Sequence, residues 1–353
     1  MTVLILPAAG RSTRFGLSRP KFLLQHPRSG TMLEASVVGL GRLSDLGVTE
    51  IRVTSLEEYF TDISPQKLSD RLEELSGVPT TIELLPEATP SMVDTVCNAL
   101  SRMERDSAII VKDVDNHVSL HDNVPIGGNF IVYGDLRKFP GITAHNKSFV
   151  SVGADSTLTA IVEKRITGPL INVGCVGFNS ASDFLAAARQ TGSERETYVS
   201  DVVRTLLDWG ITFRGVAAGD YEDWGTLDEW RAYCSSFRTL FVDIDGVVAE
   251  NEHPLSRDGG WATFKPVHPN CTALLQLQLE GRTTLVFTTS RSLEYREEVE
   301  HALNEAGFRK FDLVMGLPHA RRILINDFAP TNPYPSATAV NLPRGSRDLE
   351  EYL

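Results

Sequence analysis

The chain has 353 residues, 42% of them hydrophobic and 23% charged. That is ordinary globular composition, and the length is too great for one core and suits two domains. With 46 acidic against 34 basic side chains the formal net charge is −12, so the chain as a whole repels nucleic acid and anionic membrane. No apolar run approaches the roughly 20 residues of a membrane span. The four cysteines, Cys97, Cys175, Cys234 and Cys271, show neither metal nor redox spacing, and a reducing cytoplasm is the expected setting.

In chain order, residues 3–6 read as a buried strand. The apolar opening lacks a basic n-region and a cleavage site, and Pro7 and Gly10 interrupt it, so no targeting segment is expected there. Arg11, Arg14, Arg19, Lys21 and Arg28 precede the first acidic residue, Glu34. This basic island suits either an anion site or a solvated face. Helical spacing at 32–43, 66–75 and 93–103 alternates with strands at 51–54, 80–85 and 108–111, which predicts a mainly parallel sheet with helices on both faces. Residues 116–125 read as a polar loop. A strand-rich stretch follows at 130–133, 149–152, 158–163 and 171–178, making the sheet mixed, and helices resume at 181–189 and 198–209.

A helix at 228–233 closes the first domain, and the boundary is expected near 237, giving domains 1–236 and 237–353. The second domain repeats the α/β logic, with strands at 240–242, 284–287, 313–315, 323–325 and 337–340. Helices are expected at 269–279 and 293–306. The fold class is therefore α/β throughout. There are no internal repeats.

Several segments carry chemistry. The run Leu6-Pro7-Ala8-Ala9-Gly10-Arg11-Ser12-Thr13-Arg14 follows a strand, and Pro20-Lys21 comes soon after. A small-residue turn lets backbone amides approach phosphate, with Arg14 and Lys21 placed to neutralise it. Ser91 opens a helix whose free amides and positive dipole end suit a nucleotide. Asp113 and Asp115 leave the carboxyl end of a buried strand, where open α/β sheets hold ligands.

In this order the segments resemble the sugar-phosphate nucleotidyltransferases, with their glycosyltransferase-A-like Rossmann fold. The likeness covers about residues 1–233, and Ser12 stands where a second glycine is usual. It implies nucleotide binding by Leu6, Ala8, Ala9, Gly10, Arg14, Lys21 and Ser91, and Mg²⁺ on Asp115 and Asp223, with Asp113 secondary. Asp223 belongs to Tyr221-Glu222-Asp223-Trp224-Gly225-Thr226, similar to the family's WxDxGT segment. Glu163 and Lys164 resemble the pair that holds the acceptor phosphate, and Asn172 and Gly174 the sugar-contacting strand. The partners implied are a nucleoside triphosphate and a phosphorylated small molecule. CTP is mildly preferred, and a surface-polysaccharide precursor pathway is implied by analogy. A metal cluster at His117 and His121 is the rival reading of this stretch.

In the second half an apolar strand ends in Asp243-Ile244-Asp245-Gly246. This resembles the first motif of the haloacid dehalogenase superfamily. The resemblance implies that Asp243 attacks phosphorus, Asp245 serves as acid and base, and Thr289 hydrogen-bonds the phosphoryl group. Asp243, Asp245 and Asp327 would hold Mg²⁺. The basic residue would be Arg322 or Arg321, with Lys310 as fallback, and Asn326 stands where many relatives have a second acid. Only about 25 residues separate Gly246 from the next helix, so the cap is minimal. Such a site is open or closed by a partner, which admits a homo-oligomer. The expected whole is a bifunctional nucleotidyltransferase and phosphatase. The alternatives are a chain with one silent half, and a first half that is a glycosyltransferase or a molybdopterin guanylyltransferase.

Overall fold

The computed structural model describes residues 1–10, 15, 20–28, 30–103, 105–120, 124–139, 141–191, 196–257, 259–326 and 337–353. The chain forms two compact units, Met1–Trp230 and Arg231–Leu353.

The first unit runs β1 (Thr2–Ala8), α1 (Met32–Gly39), β2 (Val48–Leu56), α2 (Pro65–Ser76), β3 (Thr80–Leu85), α3 (Met92–Ser101), β4 (Ala108–Lys112), β5 (Asn116–Leu120) and β6 (Phe130–Asp135). It continues through β7 (Ser148–Val152), β8 (Leu158–Glu163), β9 (Leu170–Phe178), α4 (Ala181–Gln190), α5 (Val199–Asp208) and β10 (Arg214–Asp223), and passes into α6 (Leu227–Ser235). Its strands form one ten-stranded sheet, ordered β3-β2-β1-β4-β9-β6-β10-β5, with β7 on β9 and β8 on β7. The first four strands are parallel, and β9 runs antiparallel to both β4 and β6. The sheet is mixed, as the strand-rich middle of the sequence predicts.

Strand β1 is buried along its whole length, as a strand covered on both faces must be. Its period of two divides the core. Leu4 and Leu6 pack with Leu33, Val37 and Leu72 on one face, and Val3 and Ile5 with Val96, Phe184 and Val202 on the other. Side-chain caps start the helices: Thr31 and Glu34 form a capping box on α1, and Ser64 and Ser91 cap α2 and α3.

One expectation of the first unit changes. Residues 116–120, read as polar loop, are strand β5, antiparallel to β10 with Asn116 opposite Asp223. The alternation of His117 and Ser119 with buried Val118 is too short to mark a strand by itself. The ladder offered by β10 makes it one.

The second unit has a three-stranded parallel sheet, β11 (Arg238–Asp243), β12 (Thr283–Thr288) and β13 (Phe311–Val314), with α7 (His268–Leu279) and α8 (Arg296–Glu305) between its strands. Ile244, Leu274, Phe287, Leu303 and Phe308 are fully buried in its core. The strands expected at 323–325 and 337–340 do not form. Ile323 and Ile325 are 70% and 89% exposed. A short apolar run becomes a strand only with a ladder partner and a covering layer, and among the described residues these segments have neither.

Candidate active site

The first unit holds a cleft of about 930 Å³ at the carboxyl ends of β1 and β4, within the range of ligand sites. Its floor is the turn from β4 into β5. Lys112 is fully buried beneath it, and its ammonium donates to Ser36 Oγ (2.9 Å), to the Asp113 carbonyl (2.7 Å) and to the Asn116 side chain. Asn116 Nδ2 in turn donates to the Val173 carbonyl (2.9 Å). The turn is thereby clamped, and its carboxylates are presented to the cleft rather than left to solvent.

Asp113 lies against β9, where its amide donates to the Gly174 carbonyl (2.8 Å). Gly174 has φ +73°, and a Cβ there would lie 2.0 Å from Asp113 Oδ2, so only glycine fits. Asp115 is fixed to the end of β10, its carbonyl accepting from Trp224 N (2.9 Å). A Cβ built on Gly225 would lie 3.1 Å from Asp223 Oδ1 and 3.5 Å from Asp115 Oδ2. The two carboxylates, 108 residues apart in sequence, therefore flank one point. Each carries an ammonium: Lys21 pairs with Asp115, and Lys147 with Asp223.

The electrostatics follow from burial and these pairs. Burial, reinforced by the Asp115 charge, raises Asp113 to about 7. Burial also works to raise Asp115, but Lys21 overcomes it and holds that carboxyl at about 2. Asp223 is raised, by burial first, against the opposing pull of Lys147. Lys112 is lowered by its complete burial. A cation brought between these acids would favour their ionised forms.

At the other end of the cleft, Glu163 Oε2 accepts from the Ser148 and Ser200 hydroxyls. The Lys164 ammonium donates to the Tyr198 hydroxyl, which donates to Glu196. Asn172 Oδ1 accepts from the Gly174 amide (3.0 Å), shaping β9 rather than pointing away from it. Pro7, Ala8 and Gly10 line the opposite wall with Ser91 and Thr95. The Ser91 hydroxyl is engaged in capping α3, accepting from Asp94 N (3.2 Å).

Of the residues expected to serve here, Lys21, Ser91, Asp113, Asp115, Glu163, Lys164, Asn172, Gly174 and Asp223 all border this one cleft. Leu6 and Ala9 are buried in the core, so they offer backbone atoms only. Arg14 lies outside the described residues, as do Arg11, Ser12 and Arg19. His117 is half-buried on β5 against Gly39, and His121 is outside the described residues. Lys112, Lys147 and Tyr198 belong to the site without any sequence signal, because each is defined by a partner distant in the chain. Among the described residues no three His, Cys, Asp or Glu side chains converge on a metal position. Mg²⁺ is commonly held by one or two carboxylates plus substrate phosphates, and Asp115 and Asp223 facing one point fit that requirement.

In the second unit Asp243 ends β11 and Gly246 makes the following turn at φ +96°. Asp245 receives a fork from Arg291, Nη2 to Oδ1 at 2.7 Å and Nε to Oδ1 at 3.0 Å, and the Thr289 hydroxyl at 2.7 Å. Arg291 is 1% exposed and also donates to the Trp261 and Thr263 carbonyls (2.8 Å each). Thr289 is fully buried, so its hydroxyl serves Asp245 in this arrangement. Asp243 is raised, chiefly by burial, and Arg322 Nη2 lies 3.4 Å from its Oδ1. Arg321 and Lys310 make no hydrogen bond or ion pair to Asp243. Asp327 lies outside the described residues. With Asp245 committed to Arg291, the described residues of this unit do not assemble a metal set.

No family model matches the sequence, and no curated protein does. Solved structures do match. The fold they share with this chain is an α/β one with a mixed, Rossmann-like sheet. A nucleoside-diphosphate-sugar pyrophosphorylase from Vibrio cholerae RC9 is similar at 21% identity and a TM-score of 0.54, over 67% of this chain and all of its own. The inositol-1-phosphate CTP transferase of T. maritima is similar at 12% identity and a TM-score of 0.51, over 64% of this chain and 90% of its own. A UDP-glucose pyrophosphorylase complexed with UDP-glucose gives 13% and 0.50, over 67% and 98%.

Proposed function

We propose that the first unit transfers a nucleotidyl group from a nucleoside triphosphate to a sugar- or polyol-type phosphate, releasing pyrophosphate. The observation that carries this is the convergence of Asp115 and Asp223 on one point, each with a lysine, in a cleft that also holds Lys164. An acceptor phosphate oxygen attacks the α-phosphorus as the bond from that phosphorus to the bridging oxygen breaks. Like charges 4 Å apart repel by about 4 kcal/mol at an effective dielectric near 20, so the task is neutralisation and alignment rather than covalent catalysis. Lys21 serves the triphosphate and Lys164 the acceptor phosphate, with Glu163 and its two serines setting the position of β8. Mg²⁺ held by Asp115 and Asp223 would supply further neutralisation of the phosphates. Arg14 would add to the triphosphate site. CTP is the nucleotide favoured by the sequence resemblance, and the inositol-1-phosphate CTP transferase of T. maritima shares the fold.

The second unit we read as a haloacid dehalogenase-type phosphatase. Asp243 would attack phosphorus, the ester oxygen would leave, and water would then cleave the aspartyl phosphate to orthophosphate. Arg322 beside Asp243 supports this reading. Asp245 could donate a proton only by giving up its pair with buried Arg291, and this favours, as a second reading, a chain in which only the first unit is catalytic. The test is a screen of four nucleoside triphosphates against a panel of sugar and polyol phosphates, with pyrophosphate and orthophosphate measured separately. Pyrophosphate release that requires both an acceptor phosphate and a divalent ion is the expected result. Its absence with every pair would reject the first reading.

A further inference from the structure

Besides Lys21 and Lys164, the cleft is lined by a third lysine, Lys147. It follows the turn Ala144–Asn146 and leads into β7, with its ammonium on Asp223 and 5.7 Å from the centre of the Tyr221 ring. Its carbonyl accepts from Lys164 N at 3.1 Å, so the β7–β8 hairpin holds the two lysines side by side. Their side chains diverge. Lys164, at φ +50°, reaches Tyr198, and Lys147 reaches the carboxylate pair. Both line the cleft with Glu163 and Ser148.

We propose that Lys147 is a movable counter-ion: it neutralises Asp223 while no divalent ion is held there, and turns to the acceptor's phosphate oxygens when one is. The inference rests on the nucleotidyl-transfer reading and deepens it. A divalent ion on Asp115 and Asp223 competes with the ammonium for Asp223, and like charges so close repel. The ammonium is a compact charge on a flexible four-carbon stem, suited to such a move. A phosphate monoester carries close to two negative charges, and Lys164 supplies one positive charge at the acceptor end. Lys147, one hairpin position away, supplies the second. Lys147 is thus a specificity-determining residue for a dianionic acceptor.

Two measurements on the full chain test this. Mn²⁺ binding without nucleotide, read from the electron paramagnetic resonance signal of free Mn²⁺, should tighten at least about tenfold in Lys147→Met. In Lys147→Arg it should stay close to the parent. In steady-state transfer, Lys147→Met should lower kcat/KM for the acceptor by about 10²-fold while leaving KM for the triphosphate within about threefold. Lys147→Gln takes the place of Lys147→Met if the latter does not fold. Mn²⁺ binding that is unchanged or weaker in the neutral variants overturns the proposal, as does a loss confined to the triphosphate. If the parent transfers no nucleotide to any acceptor, the functional reading fails, while the Mn²⁺ measurement still decides whether Lys147 competes for Asp223.

Discussion

Gly174 and Arg291 are the residues on which most depends locally. At Gly174, φ +73° and the closeness of Asp113 Oδ2 act together against any side chain. Gly174→Ala is expected to cost about 2 kcal/mol or more of stability, with loss of transfer activity, as measured by urea denaturation and pyrophosphate release. Arg291 is a buried guanidinium forked onto Asp245. Removing one partner of a buried pair costs about 3–5 kcal/mol, whereas removing both costs less than the sum. Asp245→Ala should therefore unfold the second unit at lower urea, and adding Arg291→Met should recover part of the loss. If the two effects simply add, the pair is not coupled. An Asp245 variant without phosphatase activity speaks to chemistry only after this cycle. Asp115, Asp243 and Asp245 were legible in the sequence because each follows a recognisable apolar strand, and Asp223 only through its resemblance to the WxDxGT segment. Lys112, Lys147 and Arg291 were not, since a lone basic residue gains meaning only from the carboxylate or carbonyl it meets.

Among elements, the segment leading from Lys21 to α1 packs on aromatic rings near the end of the first unit. His26 is buried there, its ring centre 5.0 Å from that of Trp224 and 6.0 Å from that of Trp230. Burial, helped by the charge of Arg28, lowers it from 6.5 to about 4. The unfolded chain thus binds this proton below pH 6.5 and the folded chain only near pH 4. The associated stability is complete above about pH 6.5 and is lost as pH falls from there to 4, by at most about 3 kcal/mol. Replacing His26 by Gln should flatten that part of the stability curve, as compared by urea denaturation at pH 7.5 and 5.0. An equal slope in both proteins would assign the pH dependence elsewhere. Strands β1, β3 and β4 were readable from apolar runs and helices α1, α2 and α3 from helical spacing. Strand β5 and residues 323–325 were misread in opposite directions, because a short run becomes a strand only where a neighbouring ladder receives it.

For the whole molecule, the question is whether one chain carries two chemistries. Asp115→Asn should reduce pyrophosphate release by about 10²–10³-fold and leave orthophosphate release intact, with the reverse for Asp243→Asn. Loss of only one measurable activity across the two variants would favour a silent half. Composition and local pattern were enough for an α/β protein of two parts, without a membrane-spanning helix, with acids at strand ends. These follow from hydrophobic periodicity and chain length, which are properties of neighbours in sequence. The meeting of Asp115 with Asp223 was expected only through the family resemblance, and the lysine placed on each and the locking of Asp245 were not expected at all. They arise where the turn from β4 into β5 meets the end of β10 and where the turn after β11 meets the segment after β12. Long-range strand pairing decides which charges share a low-dielectric space, and that is a property of the folded chain alone.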